Sequence, residues 1–195
     1  MFSQHDEEQF ILDFFKDKTG RFLDLGAYHA EILSNTRSLV LQGWSGVMVE
    51  PCPECYNGLN KIYKRNRKVT LVNKGIATEA GTLPFYNFFG DAIGTFDINH
   101  FKQWSQDGRP YNVLDIPVIT IDQLLDDVGY DFNFIDIDIE GWSVKVLKTM
   151  PLDKLTNLQM VCCEKDNEPQ TILNTLEPLG FRQLHQTDEN IIMVR

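Results

Sequence analysis

The chain has 195 residues, 43% hydrophobic and 24% charged, which suits one water-soluble domain large enough to bury a core. Acidic residues number 28 against 18 lysines and arginines, and the net charge of −10 argues against nucleic-acid phosphate as the main partner. No apolar run approaches the roughly 20 residues of a membrane span, and Asp6, Glu7 and Glu8 stand where a secretory leader would be basic, so a cytoplasmic protein without a membrane partner is expected.

The elements are expected in one domain over residues 1–195, with 1–20 as an N-terminal helical extension. Residues 5–17 place Phe10, Ile11, Phe14 and Phe15 at helical spacing, which predicts an amphipathic helix. Arg21–Leu25 reads as the first strand, Gly26 as a turn, and about His29 to Leu41 as a helix through Ile32, Leu33, Leu39 and Val40. Trp44–Glu50 is the second strand, and Pro51 and Pro53 suit a loop and the start of a weak helix over 54–64. Val69–Asn73 is the third strand. Broken alternation from Gly75 to Phe89 predicts a hairpin or edge strand. Residues 90–112 are irregular around a short helix at Ile98–Gln106. Val113–Ile121 is extended, and Thr120–Asp122 starts a helix through Val128.

Asp131–Gly141 (DFNFIDIDIEG) is the fourth main strand. Helix Trp142–Met150, strand Leu158–Glu164 and helix 167–178 follow, and the runs Phe181–Leu184 and Ile191–Val194 suit a hairpin. Alternating strands and helices imply an α/β doubly wound, mostly parallel sheet of about seven strands, with helices on both faces and an antiparallel C-terminal hairpin. On the fourth strand, Ile135, Ile137 and Ile139 share one face, while Phe132, Phe134, Asp136, Asp138 and Glu140 share the other. Three carboxylates at intervals of about 6–7 Å repel one another and need water, a cation or a hydrogen-bonding ligand. The C-terminal ends of parallel strands are where ligands bind.

Asp24-Leu25-Gly26-Ala27 closes the first strand, and its glycine allows backbone to approach a ligand. Glu50 closes the second strand, where a carboxylate can accept both hydroxyls of a ribose. A dinucleotide site would want G-x-G-x-x-G, but Tyr28, Ala30 and Glu31 fill the next places, and a pyrophosphate sits badly against Asp24 and Glu31. A cofactor with a ribose, a positive centre and no phosphate fits better; S-adenosylmethionine is such a molecule.

Asp24-Leu25-Gly26-Ala27, Val49-Glu50-Pro51 with Pro53, Asn73-Lys74-Gly75-Ile76-Ala77, Thr120-Ile121-Asp122 and Ile137-Asp138-Ile139-Glu140-Gly141 together resemble the FkbM-type methyltransferases over roughly residues 20 to 165. The resemblance implies a class I, Rossmann-like fold, S-adenosylmethionine as cofactor, and transfer to oxygen, often a hydroxyl of a sugar or natural product. It also implies that Asp24, Gly26, Ala27 and Tyr28 lie by the methionine part and that Glu50 binds the ribose. Pro51 would shape the loop by the adenine, Gly75, Ile76 and Ala77 would flank its ring, and Asp138 would close the pocket, with Glu140 and Gly141 beside the acceptor. The chain departs from the family pattern at Tyr28, at Ala30, and at Asp136, which often is a lysine.

A hydroxyl acceptor needs a base. Asp138 and Glu140 lead as catalytic candidates, with Asp136 next, because neighbouring carboxylates raise one another's pKa. A divalent cation bridging them is the alternative, with no metal ligand set assigned. His100 is a lesser candidate, His29 a helix-start residue, and Trp104 and Trp142 stack on a sugar or pack. Cys52 and Cys55 form a C-x-x-C, but the adjacent Cys162 and Cys163 point to opposite faces of a strand, so free thiols are expected. The expected partner is a small hydroxylated acceptor, such as a carbohydrate unit, bound by residues 85–112, the N-terminal helix or a second subunit of a homodimer. The rival functions are an S-adenosylmethionine-binding protein without catalysis and a nicotinamide-dependent oxidoreductase.

Overall fold

The computed structural model describes residues 1–195. Its first half runs α1 (Glu7–Phe15), β1 (Arg21–Leu25), α2 (Arg37–Leu41), β2 (Ser45–Val49), α3 (Pro53–Tyr63), β3 (Val69–Val72), β4 (Gly75–Ile76) and β5 (Gly81–Asn87). Then come α4 (Ile98–Trp104), β6 (Asn112–Ile119), α5 (Ile121–Val128), β7 (Phe134–Ile137), α6 (Ser143–Thr149), β8 (Met160–Glu164), α7 (Pro169–Leu176), β9 (Arg182–Gln186) and β10 (Asn190–Val194).

Seven strands make the main sheet in the order β3-β2-β1-β7-β8-β10-β9. The first five are parallel and β10 runs antiparallel to both β8 and β9, as the alternation predicted. The chain order reverses between β1 and β7, so their C-terminal ends leave a crevice between two outgoing connections. Side-chain parity sorts the core into two layers. Leu23, Leu25, Ile135 and Ile137 face the layer that includes α5, α6 and α7 residues. Phe22, Met48 and Phe134 face α1, α2 and α3 through Ile11, Phe15, Leu39 and Leu59. Each such large side chain contributes about 1.5–3 kcal/mol on burial. Phe132 lies ahead of β7 and packs in the layer opposite Phe134, so the face shared by the two in sequence is not shared in space.

Two elements differ from expectation. The helix expected from His29 begins only at Arg37, and Ile32 and Leu33 are exposed. Polar side chains there are drawn elsewhere: Thr36 Oγ1 donates to Asp24 Oδ2 (2.5 Å) and Asn35 Nδ2 to Asp136 Oδ1 (3.2 Å). Such side-chain bonds compete with helical ones. The strand expected to reach Gly141 stops at Ile137, and Glu140 (φ +49°) and Gly141 (φ +85°) turn the chain away. The acidic residues are therefore split between strand and loop.

Residues 75–119 contribute a second sheet, β4-β6-β5, with β5 antiparallel to β6 and β4 parallel to it. No hairpin forms within Gly75–Phe89, because β4 and β5 each pair with β6; the edge-strand alternative holds, with β5 at the border of this sheet. Between β5 and β6 lies α4, whose first turn is capped by Asp97 Oδ1 accepting from the amides of Asn99 (2.8 Å) and His100 (3.1 Å). No helix is long and apolar enough to cross a membrane.

Candidate active site

The site grows from the crevice between β1 and β7. Gly26 has φ +93°, and a Cβ on it would stand 1.8 Å from the Asp138 carbonyl oxygen. Glycine is thus required by the approach of two backbones as well as by the turn. The amides of Gly26 (2.9 Å) and Ala27 (3.1 Å) donate to the Val49 carbonyl, which binds the turn to β2. Glu50 then holds the turn by its side chain: Oε2 accepts from the Tyr28 amide and Oε1 from the Cys52 amide, both at 2.8 Å. Each oxygen keeps a second lone pair for a ligand.

Around this turn lies a slot lined by Val49, Pro51, Ile76, Phe85 and Phe96 on its apolar sides and by Glu50, Asp138 and Glu140 on its acidic ones. At Gly26, Tyr28, Asp91, Ala92, Asp138 and Glu140 the slot shares its lining with a wider cleft of about 860 Å³. That volume suits a small-molecule site. Of the candidate cofactor residues, Gly26, Tyr28, Glu50, Pro51, Ile76 and Asp138 line the slot, whereas Asp24, Ala27, Gly75 and Ala77 stand behind its wall. Gly75 lies under the Phe96 ring, and Asp24 is buried against Thr36. Among the candidate bases, Asp138 and Glu140 are at the junction. Asp136 lines neither cavity; it is buried, bonded to Asn35, and aligned with Asp24 across β1 and β7.

Three neighbours hold the junction loop. Glu164 Oε2 accepts from Ser143 Oγ (2.7 Å) and the Glu140 amide (3.1 Å). Asp166 accepts from the amides of Gly141 and Val144, both at 2.9 Å. Thr95 Oγ1 donates to the Glu140 carbonyl at 2.6 Å. From α4, His100 Nε2 meets Glu140 Oε2 at 2.7 Å. The Trp104 indole N–H also lies 2.7 Å from that nitrogen. An indole only donates, so Nε2 serves Glu140 when protonated and Trp104 when not.

The electrostatics favour a positive ligand. Burial raises Asp138 well above the usual carboxylate range, and the charges of Glu140, Asp136 and Asp166 add to it. Burial does the same to Glu164, with Asp138 and Glu140 adding. Burial also pushes Glu50 to about 7 and Asp24 to about 6, against the hydrogen bonds that favour their charged forms. For His100 burial alone would lower the pKa, but the hydrogen bond and charge of Glu140 outweigh it and the net direction is up. Carboxylate oxygens of Asp138, Glu140 and Glu164 lie within 4.8 Å of one another, close enough for one cation to touch all three. Two of the three are already engaged, Glu140 by His100 and Glu164 by Ser143.

The residues missed in sequence are chiefly Lys74, Cys52, Cys55, Phe85 and Phe96 in the slot, and Glu164 and Asp166 behind the junction. Glu164 carried a usable signal: like Glu50, it is an acid ending a buried strand.

The model of the methyltransferase FkbM domain matches residues 24–183. The chain belongs to that family. An FkbM methyltransferase from Methylobacillus flagellatus KT superposes with a TM-score of 0.59 at 16% identity, over 91% of this chain and 44% of that one. This chain thus spans less than half the length of that protein. A precorrin-6y C5,15-methyltransferase from Geobacter metallireducens GS-15 gives 0.52 at 12% identity, over 96% of this chain and 86% of its own. A METTL16 methyltransferase domain gives 0.52 at 14% identity, over 95% and 64%. These likenesses show the class I methyltransferase fold. No curated protein matches the chain.

The family implies S-adenosylmethionine, and the slot fits it. Apolar walls suit an adenine, Glu50 suits the ribose, and the acidic junction suits a sulfonium. A dinucleotide fits less well: the slot has one lysine, Lys74, against four carboxylates.

Proposed function

We propose that the chain is an S-adenosylmethionine-dependent methyltransferase acting on a hydroxyl of a sugar or other small acceptor. The observation that carries this reading is the meeting of the slot and the cleft at Gly26, Tyr28, Asp138 and Glu140, which would let donor and acceptor occupy adjoining compartments.

When bound, the cofactor supplies an electrophilic methyl group on a positively charged sulfur. Glu50 would hold the ribose, and Pro51, Ile76, Phe85 and Phe96 would enclose the adenine. Asp138 would lie by the positive end, where a cation favours its charged form. The acceptor enters through the cleft, past Asn99, Gln103 and Trp104 of α4. An aromatic ring beside planar amides suits the faces and hydroxyls of a sugar. Glu140 would take the proton of the acceptor hydroxyl, and His100, 2.7 Å from Glu140 Oε2, would orient its carboxylate. Holding both reactants in line contributes about 7–11 kcal/mol, so clamping by Glu164, Asp166 and Thr95 matters as much as the base.

Incubation with methyl-labelled S-adenosylmethionine and a panel of hydroxylated sugars tests the proposal. Label on acceptor oxygen, located by NMR, is expected. Cofactor binding with no transfer to any acceptor would favour a binding protein without catalysis.

A further inference from the structure

The charge of the cleft points to the class of acceptor, on the reading that the cleft is where the acceptor binds. Its lining carries nine carboxylates against two lysines. Both lysines are committed, Lys145 Nζ to Asp97 Oδ2 and Lys165 Nζ to the Thr187 carbonyl, each at 2.9 Å. One part of the lining comes from α4, with Asn99, Gln103 and Trp104; another comes from Glu168, ahead of α7, and from Asp188 and Glu189, in the β9–β10 turn. These three acids are exposed and belong to no ion pair.

That acidic part is held in place. Glu7 of α1 accepts from Thr187 Oγ1 (2.9 Å) and Asn190 Nδ2 (3.0 Å), bracketing Asp188 and Glu189. The Lys165 amide donates to the Glu189 carbonyl at 2.9 Å. In strand order, β10 lies two places from β7, so the turn is about 10 Å across the sheet from the junction loop. A two-ring sugar spans that distance.

We infer that the acceptor is a hydroxylated amine of amino-sugar type, its ammonium group against Glu168, Asp188 and Glu189 and its reacting hydroxyl at the Asp138–Glu140 junction. A neutral sugar would meet the α4 part equally well but gain nothing from the acidic one. An acidic sugar, or a nucleic-acid phosphate, would be repelled by it. A few exposed ion pairs amount to about tenfold in affinity at low salt, and salt weakens them.

The test is calorimetry with three two-ring probes: a glucosamine disaccharide, cellobiose and the corresponding diuronic acid. It is run at about pH 6.5, where the amines are protonated, with and without S-adenosylhomocysteine. The diamine is expected to bind about tenfold more tightly than cellobiose, the diuronic acid most weakly, and added salt should shrink the difference. The triple variant E168Q/D188N/E189Q should abolish the preference while leaving S-adenosylhomocysteine affinity unchanged. A diamine that binds no better than cellobiose overturns the inference, as does a preference that survives the triple variant. Failure to bind S-adenosylhomocysteine would overturn the methyltransferase reading instead, and the probes without it still measure the charge preference.

Discussion

Gly26→Ala tests the geometry of the crevice most sharply. The new Cβ would lie 1.8 Å from the Asp138 carbonyl oxygen, 2.8 Å from its carbonyl carbon and 3.2 Å from Ile139 Cγ2. Real contacts of this kind exceed 3 Å, so one backbone must retreat by more than about 1 Å. A φ of +93° adds strain of about 1–3 kcal/mol for a residue with a Cβ, and overpacking adds about as much again. For a chain of this length each kcal/mol shifts the melting temperature by about 2–4 °C, so a loss of roughly 5 °C or more is expected. Displacing the junction by 1 Å should also reduce turnover about a hundredfold. Gly58→Ala is the control: Gly58 sits within α3 with nothing in reach of a Cβ, so that change should stabilise by roughly 1 kcal/mol. Differential scanning calorimetry on both variants reads the contrast. A Gly26→Ala protein that melts like the parent and turns over normally would refute the reasoning.

Glu140→Gln should lower kcat by about 10²–10⁴-fold and leave the dissociation constant for S-adenosylhomocysteine within about twofold, as measured by stopped-time transfer assays and calorimetry; parallel loss of cofactor binding would count against a role as base. Asp136→Asn should leave transfer near the parental rate and raise the melting temperature at neutral pH, because it removes a buried carboxyl whose pKa is pushed up by desolvation and by the charge of Asp24; a loss of turnover at unchanged stability would restore Asp136 to the chemistry. Glu50 and Asp24 have folded pKa values of about 7 and 6, above their ordinary 4.5 and 3.8, so between pH 4 and 7 the folded protein holds more protons than the unfolded chain. Their contribution to stability therefore falls as pH rises through that window, and His100, also raised, acts in the same direction. Melting curves of the ligand-free protein should shift upward from pH 7.5 to 5.5, and a flat or opposite trend would contradict the burial of these groups.

The alternation of strands and helices and the two strand-end landmarks, Gly26 and Glu50, were legible because they rest on local signals. Glycine after a buried strand and an acid ending the next strand fix Gly26 and Glu50 without knowledge of the rest of the fold. Parity correctly separated Ile135 and Ile137 from Phe134 and Asp136. It did not reveal what covers Asp136, since Asn35 lies 101 residues earlier. Nor did it reveal that Glu140 leaves the strand, because its positive φ is imposed by contacts with Thr95, Glu164 and Asp166 from three separate segments. His100 looked like an isolated loop histidine for the same reason: its partner Glu140 is 40 positions away and meets it only when α4 folds over the sheet edge. Of the second sheet only the edge strand β5 was readable; the pairing of β4 with β6 joins segments more than 40 residues apart.

The central claim is that the slot beside Glu50 binds a methyl donor. Isothermal titration of the parent chain and of Glu50→Ala with S-adenosylmethionine and S-adenosylhomocysteine tests it most directly. One site per chain for both ligands is expected, with affinity at least about tenfold weaker in Glu50→Ala, the loss of a charge-assisted hydrogen bond. No binding of either ligand to the parent, or equal binding by the variant, would contradict it.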